Sequence, residues 1–160
     1  MATIRVTVNG QPVEADIDGR VTLADFLRER CDARSIHLGC EHGVCGACTV
    51  LVNGLTARSC IALAATLDGA EVQTLEGLAG DPVIAALKAG FTREHGLQCG
   101  YCTPAMLIVA RDILAANPDP DEAEVREKLA GQICRCTGYS GIVRAIRAAA
   151  QDLSPRSAGS

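Results

Sequence analysis

The chain contains no tryptophan, and its 160 residues carry only two Phe and two Tyr. Its cores must therefore be built from Ile, Val, Leu and Ala, and a domain of roughly 75 residues packed that way buries a modest share of its surface. Each half would profit from a metal staple. No secretory leader is expected either: Met1-Ala2-Thr3-Ile4-Arg5-Val6 alternates like a strand, without a basic start or a continuous apolar stretch. A cytoplasmic protein is expected. Positive charge is short, with 15 Lys and Arg against 19 Asp and Glu and a net charge of -4. That balance supplies no attraction to nucleic acid or anionic lipid. With 48% apolar residues the chain is neither disordered nor membrane-spanning.

Cysteine, by contrast, is abundant, with nine in all. In a cytosolic setting the redox buffer keeps ordinary pairs reduced, which favours metal ligation over disulfides. Eight of the nine fall into two groups of four. Cys40, Cys45, Cys48 and Cys60 have the C-x4-C-x2-C…C spacing of a plant-type 2Fe-2S ferredoxin. Zinc also takes four thiolates, but its usual pattern is a pair of C-x2-4-C knuckles. The loop glycines Gly39, Gly43 and Gly46 permit a tight wrap, with amide donors close to sulfur.

The second group, Cys99, Cys102, Cys134 and Cys136, pairs C-x2-C with a distant C-x-C. On spacing it stays open between an iron-sulfur centre, a zinc knuckle and a redox C-x-x-C. Cys102 precedes Thr103-Pro104 and Cys136 precedes Thr137-Gly138, both read as helix starts. Two positive helix ends are thus expected to face one anionic centre, with a local pseudo-twofold relation between the two helices.

The chain reads as an α+β protein in two parts. Ile4, Val6 and Val8 alternate, Asn9-Gly10 turns, and Val13, Ala15 and Ile17 resume the alternation, which predicts a β-hairpin. Thr22 with Asp25 caps a helix running to about Cys31, with Leu23, Phe26 and Leu27 toward the sheet and Val21 and Phe26 as a staple. Thr49 to Val52 and a second Asn-Gly turn at Asn53-Gly54 predict another hairpin, which brings Cys60 back to the loop. Glu71 to Leu75 is a last strand, compatible with a β-grasp arrangement. From about residue 77 the period becomes helical, with helices predicted over 82–94, 104–116, 121–130 and 138–151, the second of them central, in a small four-helix bundle. The expected domains are 1–76, a ferredoxin-like unit, and 77–153, a helical unit, followed by a flexible tail over 154–160.

The strings Gly39-Cys40-Glu41-His42-Gly43-Val44-Cys45-Gly46-Ala47-Cys48-Thr49-Val50, Gln98-Cys99-Gly100-Tyr101-Cys102-Thr103-Pro104 and Cys134-Arg135-Cys136-Thr137-Gly138-Tyr139 resemble the signatures of a known family. It is the iron-sulfur subunit of xanthine oxidase family molybdenum hydroxylases, including the small subunits of aerobic carbon monoxide dehydrogenase and N-heterocycle dehydrogenases. The resemblance implies one 2Fe-2S cluster in each domain, with no substrate site on this chain. It implies a large molybdenum-pterin subunit and a medium FAD subunit as partners, in a heterotrimer with or without dimerisation. Electrons would pass from molybdenum to the C-terminal cluster, then to the N-terminal cluster and to FAD. Gln98 and the Cys136 sulfur would lie against the pterin.

Several residues stand outside these patterns. Cys31 reads as a small buried apolar residue rather than a ligand or reactive thiol, and His42 is surplus in a loop that already has its four thiols. His37 and His95 read as surface or hydrogen-bonding residues. Tyr101 and Tyr139 flank the second thiol set and read as shields against water. Arg135 is open between neutralising charge and binding carbonyls, and the acidic run Asp119 to Glu127 caps and solvates a helix. The rival functions are a stand-alone two-cluster carrier, an electron-entry module of another flavoprotein reductase, and a zinc-stapled adaptor.

Overall fold

A computed structural model describes residues 1–154; the expected tail lies outside them apart from Ser154. The first hairpin is β1 (Ala2–Val8) and β2 (Gln11–Ile17), paired in register from Ala2 opposite Ile17 to Val8 opposite Gln11. Asn9 and Gly10 both take positive φ, the geometry a two-residue hairpin turn demands. Helix α1 (Leu23–Arg30) starts where the Thr22 hydroxyl accepts the Asp25 amide at 3.1 Å, and it buries Leu23, Ala24, Phe26 and Leu27. Strands β3 (Thr49–Val52), β4 (Leu55–Arg58) and β5 (Glu71–Gln73) complete a sheet of order β2-β1-β5-β3-β4. Among the described residues only the β1–β5 pair is parallel.

Helices α2 (Pro82–Arg93), α3 (Thr103–Ala116), α4 (Glu122–Lys128) and α5 (Ser140–Leu153) form the bundle. The first three begin within one residue of expectation: Asp81 and Asp121 cap α2 and α4 with their side chains and Pro82 and Pro104 sit in first turns, while α3 opens at Thr103 with Cys102 in the N-cap position and no side-chain cap. Helix α3 buries Ala105 to Ala110, Ile113 and Leu114, so apolar contact surrounds it, as a central helix requires. Helix α5 starts two residues later than its composition suggests. Gly138 and Tyr139 both adopt left-handed φ, so Thr137 to Tyr139 form a turn between Cys136 and the helix.

The sheet is covered on both faces, which unites the two halves. Val50 joins Ile4, Val6, Phe26 and Leu27 beneath α1, whereas its neighbour Leu51 joins the bundle core with Met106, Leu107 and Ile113. Adjacent strand residues point to opposite faces, so β3 serves both cores at once. Between α2 and α5 the approach is close: a Cβ on Gly90 would stand 2.6 Å from the Ala145 carbonyl oxygen, and one on Gly141 2.6 Å from that of His95.

Asp81 links α2 to α3. Its carboxylate accepts the Val83 amide at 2.8 Å and the Arg111 guanidinium, with the side chain only 15% exposed. Burial alone would raise this carboxyl, but Arg111 and the Val83 amide outweigh it and hold the group below its usual value. A carboxylate depressed in the folded state adds stability above its unfolded pKa, which is lost as pH falls through the folded one. Asp81→Asn is accordingly expected to lower the thermal midpoint at neutral pH by a margin that narrows from about pH 4 downward. Parallel melts of both proteins across that range check it; a margin independent of pH would contradict the assignment.

Candidate metal centres

The loop between α1 and β3 carries Cys40, Cys45 and Cys48, and the turn after β4 returns Cys60 to it. Side-chain interactions link Cys40 with Cys45 and Cys60 with Cys48, and Cys60 feels the charge of both Cys40 and Cys48. The four expected thiols are therefore together. The Cys45 amide points at the Cys40 sulfur at 3.3 Å, and with the His42 and Val44 amides it pulls that thiol down to about 6. Cys60 is pushed up to about 11, chiefly by burial and then by the Cys48 thiol, with only the Gly43 amide opposing. Loop N-H groups thus favour the anionic form of Cys40, whereas burial disfavours that of Cys60.

Glycine is required at two loop positions. Gly43 and Gly46 have φ of +82° and +81°, which β-carbon-bearing residues seldom adopt. Space matters equally, because a Cβ on Gly46 would meet the Gln132 side-chain amide at 2.2 Å and the Gly131 carbonyl oxygen at 2.7 Å. Gly39 has ordinary φ, but its Cβ would stand 3.0 Å from the Cys45 sulfur.

The second set lies between α2 and α3 and before α5. The Cys136 and Cys99 sulfurs are 3.4 Å apart, Cys102 interacts with Cys134, and Cys134 faces both Cys99 and Cys136. Cys102 is pushed up to about 12, first by burial and then by Cys134. Burial would also raise Cys134, but the Thr137 hydroxyl, 3.1 Å from its sulfur, and the amides of Thr137 and Cys136 bring it down. One helix N-terminus abuts this set, that of α3, which Cys102 itself caps. The expected second one is displaced by the Thr137–Tyr139 turn, whose own amide and hydroxyl donors take its place. The pseudo-twofold relation therefore does not hold.

The second set opens on a space that reaches Cys45 of the first. A cavity of about 170 Å³ is lined by Cys45 and Gly39 on one side and by Cys99, Cys102, Cys134 and Cys136 on the other, with Arg135 at its wall. Across it the Ile133 amide donates to the Cys45 carbonyl at 2.8 Å, so a residue adjacent to Cys134 is bonded to a residue of the first set. Gln98 is exposed beside Cys99, and Cys136 is half-buried, leaving that flank accessible. Among the described residues no three His, Cys, Asp or Glu side chains converge as on a single ion. A binuclear cluster does not need that convergence, since its thiols grip two different irons in pairs. Eight thiols in two groups with amide donors at sulfur fit two such clusters.

The remaining candidates have other partners. Cys31 packs against the core under α1, where burial raises its thiol. His42 binds the Cys40 carbonyl through Nδ1. His37 stacks on Tyr101 with ring centroids 4.5 Å apart and meets its carbonyl oxygen at 2.6 Å. The Tyr101 hydroxyl donates to Leu38 at 3.0 Å, so the ring bridges the two loops while remaining 46% exposed. Tyr139 is tied inward: its hydroxyl donates to the Gln132 carbonyl at 3.0 Å and accepts the Cys134 amide at 2.9 Å. Sequence reasoning missed Arg58, Thr49, Gln132 and Ile133, which form the seam between the loops; the only available signal was their adjacency to ligand-type cysteines.

Two family models match this chain. The 2Fe-2S iron-sulfur cluster binding domain covers residues 6–79 and the 2Fe-2S binding domain residues 74–147. The caffeine dehydrogenase subunit gamma of Pseudomonas sp. (strain CBB1) is 47% identical over 147 residues, 90% of this chain and 88% of its own length. The nicotine 6-hydroxylase small subunit of Paenarthrobacter nicotinovorans is 50% identical over 143 residues, 89% of this chain and 86% of its own length. A chain in the crystal structure of quinoline 2-oxidoreductase from Pseudomonas putida 86 superposes with a TM-score of 0.87 at 46% identity, covering 93% of each chain. Among the described residues no helix is long and apolar enough to cross a membrane. With both cluster domains present and relatives matched almost end to end, the chain belongs to the iron-sulfur electron-transfer subunits of the xanthine oxidase family of molybdenum hydroxylases.

Proposed function

We propose that Cys40, Cys45, Cys48 and Cys60 hold one 2Fe-2S cluster and Cys99, Cys102, Cys134 and Cys136 the other, in domains bounded near residues 76 and 153. Such a cluster supplies a reversible one-electron store when bound. The chain's own residues do three things around it. Loop amides at the Cys40 and Cys134 sulfurs favour added negative charge, which raises the potential of a thiolate-held centre. Val50, Phe26 and the bundle core close the inner sides against water. The 2.8 Å hydrogen bond from Ile133 to Cys45 joins the two ligand loops in series, and it is the observation that carries this reading.

The entry side is the helical half, where exposed Gln98 and half-buried Cys136 offer a flank to a pterin on a molybdenum subunit. The exit side is the ferredoxin-like half, facing an FAD subunit, in a cytoplasmic heterotrimer. Relatives named for caffeine, nicotine and quinoline make an N-heterocycle the first substrate class to assay on that complex. Affinity purification of the tagged full chain from its own cells is the test. Two copurifying chains bearing molybdenum-pterin and FAD, with two irons for each of the two domains, are expected. An iron-loaded monomer without flavin or molybdenum would point to a stand-alone carrier, and zinc in place of iron would end the redox reading.

A further inference from the structure

We infer that Gln132 is a positioning residue whose side chain sets the distance between the two metal loops, with Arg58 as its clamp. This rests on the two-cluster reading above. Gln132 is 3% exposed, yet it is neither a thiol nor part of a helix core. Its amide reaches from the helical half into the first cysteine loop. With Nε2 directed at the Gly46 carbonyl (3.1 Å), Oε1 accepts from the Thr49 hydroxyl (3.1 Å) and from Arg58 (3.0 Å). That orientation follows from the partners, since the opposite one would set Oε1 against a carbonyl oxygen.

The main chain of the same residue is engaged as well. Its N-H donates to Leu129 at 2.8 Å, and its carbonyl accepts the Tyr139 hydroxyl that also holds the Cys134 amide. Arg58 reaches past it to the Gly131 carbonyl at 2.6 Å. One buried side chain is therefore bonded to the segment between Cys45 and Cys48, while its backbone is bonded through Tyr139 to Cys134. Among the described residues every buried side-chain nitrogen or oxygen has a partner. A seam satisfied in this way docks in one register, because any slip leaves desolvated amide, hydroxyl and carbonyl groups unpaired.

The length of the side chain is then the spacer. The void left by the missing Gly46 side chain is filled by the Gln132 amide, so neither the loop nor the glutamine can shift without opening or crowding the seam. The neighbouring bond from Ile133 to Cys45 lies under the same constraint. Gln132→Met keeps the length and removes all three bonds. Arg58→Lys keeps the charge but cannot span both the Gly131 carbonyl and the Gln132 amide, and it is the milder variant should the first fold poorly.

The test uses the full chain in its purified complex, reduced and examined by EPR, with iron analysis and amide hydrogen exchange alongside. Both variants are expected to retain wild-type iron and both cluster signals. The magnetic interaction between the two reduced centres should change, and exchange at the Ile133 amide should rise by roughly tenfold or more in Gln132→Met. Wild-type coupling and exchange in both variants would overturn the inference. So would loss of iron from one centre with the other intact, because Gln132 would then build a site instead of spacing two. Absence of two iron-sulfur signals from the wild-type complex is a separate result, which would remove the two-cluster reading itself.

Discussion

Replacing Cys134 by Ser leaves the chain with half its iron and with one of its two reduced-cluster EPR signals, that of the ferredoxin-like half. The thiolate is the metal ligand, and a serine hydroxyl does not ionise near neutral pH to replace it. Cys134 is also the most enclosed member of its set, held by the Thr137 hydroxyl and two amides, so no solvent ligand can readily take over. Cys45→Ser should do the reverse, sparing the helical centre. In the assembled enzyme either loss is expected to interrupt the series, and flavin reduction should slow by on the order of 100-fold or more, since losing a group that merely orients a metal's ligands already costs about 10- to 100-fold. Substrate should still reduce the molybdenum subunit. Iron analysis, EPR and stopped-flow flavin absorbance read all of this, and loss of the ferredoxin-like signal alone from Cys134→Ser would mean that the thiols are grouped wrongly.

Gly90→Ala is expected to destabilise the helical half by about 2 kcal/mol. Two effects oppose one another at this position. Alanine is the better helix former by up to about 1 kcal/mol, whereas overpacking a tight contact costs about 1–3 kcal/mol. The contact decides the sign: the new Cβ would stand 2.6 Å from the Ala145 carbonyl oxygen and 3.4 Å from its carbon, both backbone atoms of α5. No side-chain rotation relieves that clash, so α2 and α5 must part. For a domain of this size the loss amounts to a fall of roughly 10 °C in the melting midpoint followed by helical circular dichroism. Gly19→Ala, whose Cβ would meet nothing within 4 Å, is the control and should be close to neutral. A Gly90→Ala protein that melts with the wild type would show that the helices absorb the methyl group freely.

Much of this architecture could be read from the chain because local signals agreed with one another. The two Asn-Gly turns, the Thr22 cap and the Asp81-Pro82 start each need one specific backbone geometry, and each is found as expected. Spacing within a loop is a local property and covers Cys40, Cys45 and Cys48; joining Cys60 to them takes the Asn53-Gly54 reversal, and joining Cys99 and Cys102 to the distant Cys134 and Cys136 takes the family resemblance. What escaped was non-local. Thr49 to Val52 is a nearly continuous apolar run, the mark of a strand buried on both faces, but nothing near it in sequence identifies the second covering layer. Its second partner, the bundle, begins thirty residues further on. Helix α5 begins at Ser140 and not at Gly138 because Tyr139 takes a left-handed φ of 69°, which propensity disfavours, while its hydroxyl is tied by two hydrogen bonds. Gln132 and Arg58 gave no warning, as a buried amide between two loops leaves no periodic trace.

The strand order has a further outcome for life at high protein concentration. The sheet ends in β2 and β4, the places where another copy of the chain could add itself and begin an aggregate. Strand β2 carries Pro12, which has no amide to offer, and alternates Glu14 and Asp16 along its length, while β4 spans four residues and finishes at Arg58. Neither margin provides a long, flat template. Oligomer growth through backbone ladders is thereby discouraged.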